Sequence, residues 1–301
     1  MRILVTGGAG YIGSILVPKL LDDGHEVTVL DSFHYGQNTL APLCGNPKFD
    51  VHKVDCRNVM AVLPHLNVDV VIPLAGLVGV PVCNQNPIDA ELLNLKAQLG
   101  LFNFLSVDQF LIMPTTESSY GSNAEICNEK TVLNPLSTYA KHKVTVEEAL
   151  LTRSNSCSLR LATVFGMSPR MRLDLLVNDF TWRAYKDRAF VVFESQYRRT
   201  CVHVRDVAKA FVHALDLNLK GVFNVGAVTL TKRSLCEEID KQCPFKYVEA
   251  EFGRDQDQRD YIVSDDKIRK TGFAPDVTLE SGIAELLKGY RMLKNTAHGN
   301  V

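Results

Sequence analysis

The chain has 301 residues, 46% of them hydrophobic and 22% charged, which suits a soluble globular protein with a sizeable core in one large or two small domains. Its formal net charge of −1 excludes a nucleic-acid or membrane surface built on charge alone. The eight cysteines form no C-x-x-C pair and the eight histidines no H-E-x-x-H, so reduced thiols and no metal are expected. The N-terminus enters a strand directly, with no leader pattern and no run of apolar residues long enough to span a bilayer, so the expected compartment is the cytoplasm.

Taken in order, Arg2–Thr6 is a β-branched, apolar run expected to form a buried parallel strand. The turn Gly7-Gly8-Ala9-Gly10-Tyr11-Ile12-Gly13 follows, then apolar residues at helical spacing through Leu21. Strand, glycine turn and helix are the context of a dinucleotide site. Glycines allow a tight turn and close backbone approach to a pyrophosphate, which the helix N-terminus attracts. A second strand, Glu26–Leu30, ends at Asp31, whose carboxylate suits ribose hydroxyls and repels a 2′-phosphate, so NAD is expected rather than NADP. The polar loop Ser32–Asn38 is expected to close over the adenine side.

Asp50–Val54 reads as a third strand leading to Asp55 and Cys56. Asp55 can accept from an adenine amino group or cap a following helix, and both readings stay open. Asp69–Leu74 reads as a fourth strand, and the small residues after it, Ala75 and Gly76, let backbone lie against a cofactor. Ile88–Leu105 carries the pattern of one largely buried helix. Phe110–Met113 reads as a fifth strand, with Pro114–Gly121 leaving its C-terminal end. Alternating strands and helices imply an α/β, Rossmann-type, doubly wound parallel sheet, with a smaller α/β substrate domain after it. The expected division gives residues 1–165, with 200–225 returning, to cofactor binding. Residues 166–199 and 226–293 go to substrate binding, and 294–301 form a tail expected to be disordered.

Ser137–Leu151 is helical in pattern, which sets Tyr139 and Lys143 one turn apart on one face. A phenol is a weak base at neutral pH, with a pKa of about 10. A neighbouring ammonium favours phenolate, so Tyr139 can take a proton from a substrate hydroxyl. Thr116, at the end of the fifth strand, can bond the same hydroxyl.

T-G-G-A-G-Y-I-G, T-T-E-S-S-Y-G and Y-A-K-H-K together resemble the extended short-chain dehydrogenase/reductases, the group of nucleotide-sugar epimerases, dehydratases and 4-dehydrogenases. The wider first glycine gap is that superfamily's own form. The resemblance runs to about residue 292. It implies a catalytic trio of Thr116, Tyr139 and Lys143, and NAD held by Gly7, Gly10, Tyr11, Ile12, Gly13, Asp31, Ser32, Asp55, Cys56, Leu74, Ala75, Gly76, Asn94, Tyr139 and Lys143. A nucleotide sugar would meet Val78, Glu117, Ser118, Thr163, Arg170, Arg172, Asn178, Arg199 and Arg259. Arg199 and Arg259 would clamp its diphosphate, and Arg170 and Arg172 would lie near its sugar. A homodimer, paired through the helices that begin near Ile88 and Ser137, is also implied.

Within the group, residues 75–83, 168–180 and 199–206 are similar to the bacterial GDP-D-glycero-α-D-manno-heptose 4-dehydrogenases, capsule-sugar enzymes with tightly held NAD. That subgroup tends to have Asn after the catalytic Thr, and this chain has Glu117. Related 4,6-dehydratases carry Asp then Glu there, an acid and a base for water loss. Here Glu117 takes the first place and Ser118 the second, so oxidation at C4 without dehydration is expected, with Glu117 shaping the pocket, bonding a sugar hydroxyl, or satisfying loop donors. A 4-epimerase, a 4,6-dehydratase and a non-catalytic NAD sensor are the alternatives.

Overall fold

The computed structural model describes residues 1–36, 38–123, 125–250 and 260–293. Seven strands form one parallel sheet: β1 (Arg2–Thr6), β2 (Glu26–Asp31), β3 (Phe49–Lys53), β4 (Val70–Pro73), β5 (Phe110–Thr116), β7 (Ser156–Leu161) and β11 (Gly221–Val225). A short β6 (Ile126–Cys127) intervenes in sequence. The sheet order is β11-β7-β5-β4-β1-β2-β3. β4 and β5 are buried along their whole length, as a sheet covered on both faces requires. The order reverses at β1, which pairs β2 on one side and β4 on the other. Ligands of such sheets bind outside the strand C-terminal ends at that reversal.

Apolar side chains cover both faces. Helices Gly13–Asp22 and Val204–Asp216 pack on one, through Leu16, Leu20, Val207 and Phe211; Leu101, Val146 and Leu150 pack on the other. A second core gathers Tyr11, Phe165, Met171, Val177, Leu235, Ile283 and Tyr290. It lies under a three-stranded sheet ordered β12 (Val228–Thr231), β10 (Arg198–His203), β8 (Thr163–Phe165). Two further parallel pairs, β9 (Ala189–Val192) with β13 (Lys246–Glu249) and β6 with β14 (Ile262–Val263), complete the strands among the described residues.

The doubly wound sheet expected from sequence is present. Several elements differ in extent, the fourth strand among them, which runs Val70–Pro73 and not Asp69–Leu74. β5 continues through Pro114 to Thr116, because proline lacks a donor but keeps the extended backbone, and Pro114 pairs with Leu159. The helix expected over Ile88–Leu105 is helical over Pro87–Glu91, winds as a π segment over Leu92–Lys96, and ends at Phe102. The third strand begins one residue early, at Phe49. The tail lies outside the described residues.

Candidate active site

A cavity of about 400 Å³ opens at the C-terminal ends of β1, β2, β4 and β5. Its floor is the glycine turn. Gly7 has φ +71°, and a Cβ there would stand 2.5 Å from the Ala75 nitrogen, so only glycine lets this turn pass the loop after β4. A Cβ on Gly13 would fall 2.5 Å from the Gly8 carbonyl oxygen. These glycines therefore serve the packing of the turn on itself and on its neighbour, as well as any ligand above it.

Asp31 closes one end of the turn. One carboxylate oxygen accepts from the Ala9 N–H at 3.0 Å, the other from Phe33 N–H at 2.8 Å. Burial raises its pKa, and these two bonds pull it back. Asp31 lines the cavity, and each oxygen keeps acceptor capacity beyond these bonds, as a ribose diol requires. Protein stripped of nucleotide should bind NAD at least tenfold more tightly than NADP, a gap that narrows in Asp31→Asn; titration with both cofactors reads it directly. Asp55 is not a helix cap. Its carboxylate pairs with the Arg57 side chain at 2.6–3.0 Å, and Arg57 reaches on to Asp89. Cys56, also on the wall, is pushed up to about 12 by burial, with Asp31 adding to the shift, so it stays a thiol.

Across the turn stand Leu74, Ala75, Gly76 and Val78. Asn94 lies behind them, 1% exposed, and does not line the cavity. The π segment aims it at the backbone of Leu77, from which it accepts at 2.7 Å and to which it donates at 2.8 Å. Gln98 holds the Ala75 carbonyl at 2.9 Å in the same way.

At the far end Thr116, Ser118, Tyr139, Lys143 and Thr163 share the wall. The Thr116 hydroxyl accepts from the Ser118 N–H at 3.1 Å and donates to the Ser118 hydroxyl at 2.9 Å, which leaves it one acceptor lone pair. Lys143 is buried with its ammonium donating to the Pro114 carbonyl at 3.1 Å, and burial lowers its pKa to about 8. Ser137 caps the helix that carries Tyr139 and Lys143, accepting from Ala140 N–H at 3.2 Å.

Under this wall lies a buried charge pair. Glu147, from the same helix, receives Arg160 of β7 together with the hydroxyls of Thr115 and Ser158. Arg160 donates on to the Tyr120 hydroxyl at 2.8 Å, which donates to Asn224 at 2.7 Å. The network bolts the Tyr139 helix to β5 and β7. Glu147→Ala would strand a buried guanidinium, so it should destabilise the fold by about 3–5 kcal/mol, read by denaturant unfolding.

The structure places the expected substrate contacts as follows. Glu117 is fully buried and turned off the wall, toward Gly226 and within electrostatic reach of Tyr120, Cys127 and Cys201. Asn178 is fully buried too. It accepts from Gly166 N–H at 2.9 Å and donates to the Tyr11 hydroxyl and the Arg172 carbonyl, so its amide is spent on the protein. Arg199 sits inside β10, 2% exposed, donates to the Arg198 carbonyl and does not line the cavity. Arg170 lines the cavity but on the side of the loop after β2, not beside Tyr139: its guanidinium lies 3.7 Å from the centre of the Tyr35 ring. Arg172, also on the cavity wall, bonds Asp174 and the Val78 carbonyl. Arg259 lies outside the described residues.

Sequence reading missed Arg57 and Tyr35 as wall residues. The signal for each was weak: an Arg two residues past a strand-end Asp, and an aromatic in a polar loop. Tyr11, by contrast, is both wall and fastener. Its hydroxyl donates to the Gly166 carbonyl at 2.7 Å, and beside it Ser168 bonds the Tyr11 carbonyl and the Ser14 hydroxyl, both at 2.8 Å. The loop after β8 is thereby tied down on the glycine turn.

All eight cysteines are free, and no helix among the described residues is long and apolar enough to cross a membrane. Residues 3–226 match the family described as NAD dependent epimerase/dehydratase. UDP-glucuronic acid decarboxylase 1 of Arabidopsis thaliana is 30% identical over 240 residues, covering 75% of this chain and 54% of that protein, so the chain spans about half of that relative's length. Two crystal structures match nearly end to end, each covering 97% of this chain and 99% of the other at 26% identity. They are UDP-glucose 4-epimerase of Thermus thermophilus with NAD, TM-score 0.83, and UDP-glucose 4-epimerase of Thermotoga maritima with UDP-glucose, TM-score 0.84.

Proposed function

The chain belongs to the NAD dependent epimerase/dehydratase family, and from that premise we propose that it oxidises C4 of a nucleotide-diphosphate sugar without loss of water. The observation that carries this reading is the shared wall of Thr116, Tyr139 and Lys143, with a serine and no acid beside them. The cavity fits the cofactor: a glycine floor, a diol-binding carboxylate at one end and the proton-transfer group at the other. Bound NAD supplies the hydride acceptor. The chain's own residues do the rest. Tyr139 takes the proton of the C4 hydroxyl, Lys143 and the helix N-terminus favour its phenolate, and Thr116 orients the hydroxyl through its remaining lone pair. Glu117, turned off the wall, leaves nothing there to remove a C5 proton.

On substrate, the likeness of residues 75–83, 168–180 and 199–206 to GDP-heptose 4-dehydrogenases supports a GDP-heptose and a role in bacterial surface-polysaccharide synthesis in the cytoplasm. A 4-epimerase is the second reading, favoured by the two UDP-glucose 4-epimerases that match the chain end to end. Residues 1–165 with 200–225 form the cofactor half in this reading, and 166–199 with 226–293 the substrate half. A homodimer is part of it, since Ile88 is 74% exposed and Leu151 41% exposed on the helices that flank the sheet; light scattering at micromolar concentration reads the mass.

The deciding experiment incubates the protein with GDP-, UDP- and dTDP-sugars and identifies products by NMR and mass. A 4-keto product lighter by two hydrogens is expected. An epimer of unchanged mass supports the second reading. A product lighter by one water, lost in Glu117→Gln, would overturn both.

A further inference from the structure

Arg170 and Arg172 leave one loop for different contact partners, although both stay within electrostatic reach of Tyr35. The loop after β8 lies on the glycine turn, held there by Tyr11, Ser14 and Ser168. On one side of that turn is the loop after β4; on the other is the loop after β2. Arg172 reaches the first, at the Val78 carbonyl. Arg170 reaches the second, at Tyr35. The β2 side, where Asp31 stands, is the adenosine half of a dinucleotide site. Tyr139 and Thr116 are on the β5 side, where a sugar would be oxidised.

The loop that presents Tyr35 is built to project it. Phe33 has φ +52° and Gly36 φ +64°, and the Gly36 N–H donates to the Phe33 carbonyl at 3.0 Å. The two left-handed residues, Phe33 and Gly36, bracket His34 and Tyr35 in a tight turn on the cavity wall. The Asp31 carboxylate fixes the start of that turn by accepting from Phe33 N–H. Arg170 is itself held: it is 2% exposed, and its Nη1 donates to the Met171 carbonyl at 3.0 Å. Tyr35, 39% exposed, is the outer member. A guanidinium over a tyrosine face within about 6 Å is an attractive contact, stronger where water is excluded.

We propose that Arg170 and Tyr35 form a clasp across the adenosine half of the cavity, joining the loop after β8 to the loop after β2, and that this clasp retains bound NAD. Arg170 is on this account a cofactor-retaining residue and not a sugar contact. The inference rests on NAD as the cofactor and is independent of which sugar is oxidised and of the product formed.

The test loads the full-length protein with NADH and follows its release by nicotinamide fluorescence after mixing with excess NAD. Arg170→Ala and Tyr35→Ala are each expected to speed release tenfold or more. The double variant should exceed either single by less than threefold, because both remove one contact. Tyr35→Phe keeps the ring and should release NADH at the wild-type rate, which separates stacking from any bond made by the hydroxyl. Binding of nucleotide sugar to NAD-saturated Arg170→Ala should stay within threefold of wild type. Unchanged release in either alanine variant overturns the clasp. So does a tenfold or greater loss of sugar binding in Arg170→Ala with release unaltered. Wild-type protein that takes up no NADH would overturn the cofactor assignment as well, whereas a failed sugar panel leaves this result standing.

Discussion

Tyr139→Phe is expected to lower turnover by about 10²- to 10⁴-fold, the range lost when a positioned proton-transfer group is removed. The substitution deletes one oxygen and keeps the ring that lines the cavity. The helix stays capped by Ser137, and Lys143 stays anchored on the Pro114 carbonyl. NAD content should therefore match wild type, measured on filtered, denatured samples beside the steady-state rate. Loss of both rate and cofactor would mean that Tyr139 holds the nucleotide; an unchanged rate would remove Tyr139 from the chemistry.

Lys143→Met should combine a loss of rate of at least about 10²-fold with a pH-dependent change in stability. Burial lowers the folded-state pKa of Lys143 to about 8, against an ordinary value of 10.5. Between those two values the unfolded chain binds the proton and the folded chain does not, so wild-type stability rises with pH across that window. The full effect is roughly 3 kcal/mol for a shift of this size. Methionine is of similar length and carries no charge. Its stability relative to wild type should be most favourable below pH 8 and fall steadily toward pH 10.5. Urea unfolding of both proteins at pH 7.5 and pH 10 checks this; an equal offset at the two pH values would refute it. On the proposed reading, this cost is what holding an ammonium beside the Tyr139 phenolate requires.

The sheet was legible because parallel strands buried on both faces are continuous apolar runs with loops at regular spacing, and β1, β2 and β4 fall where those runs lie. The Tyr139–Lys143 pair was legible for the same kind of reason, one helical turn fixing two side chains on one face. What spacing does not carry is the direction of a side chain on a loop. Arg170 and Arg172 alternate on irregular backbone, so nothing in their separation says that one faces Tyr35 and the other Asp174. Asn178 entered as a ligand only through the family resemblance; its partners, Gly166, Tyr11 and Arg172, are fixed only by tertiary packing. The π segment was hidden for a related reason. One extra residue per turn leaves the apolar pattern of Leu92–Leu101 readable as an ordinary helix, and shows itself only in where Asn94 points.

The fastening of the glycine turn to the loop after β8 also sets an order of assembly. Tyr11 and the Gly166 carbonyl are 155 residues apart, and Tyr11 and Asn178 are 167 apart. At a synthesis rate of about 5–20 residues per second, the turn waits roughly 8–30 s for its first partner. In that interval the opening strand-turn-helix unit has its sheet neighbours β2 and β4 available but not the bonds that seat Tyr11 and Ser14. The nucleotide site is thus completed from the C-terminal side. A ribosome-bound chain stalled before Gly166 emerges would present a glycine turn without its fastener, and it is expected to bind dinucleotide more weakly than one stalled after Asn178 has cleared the exit tunnel.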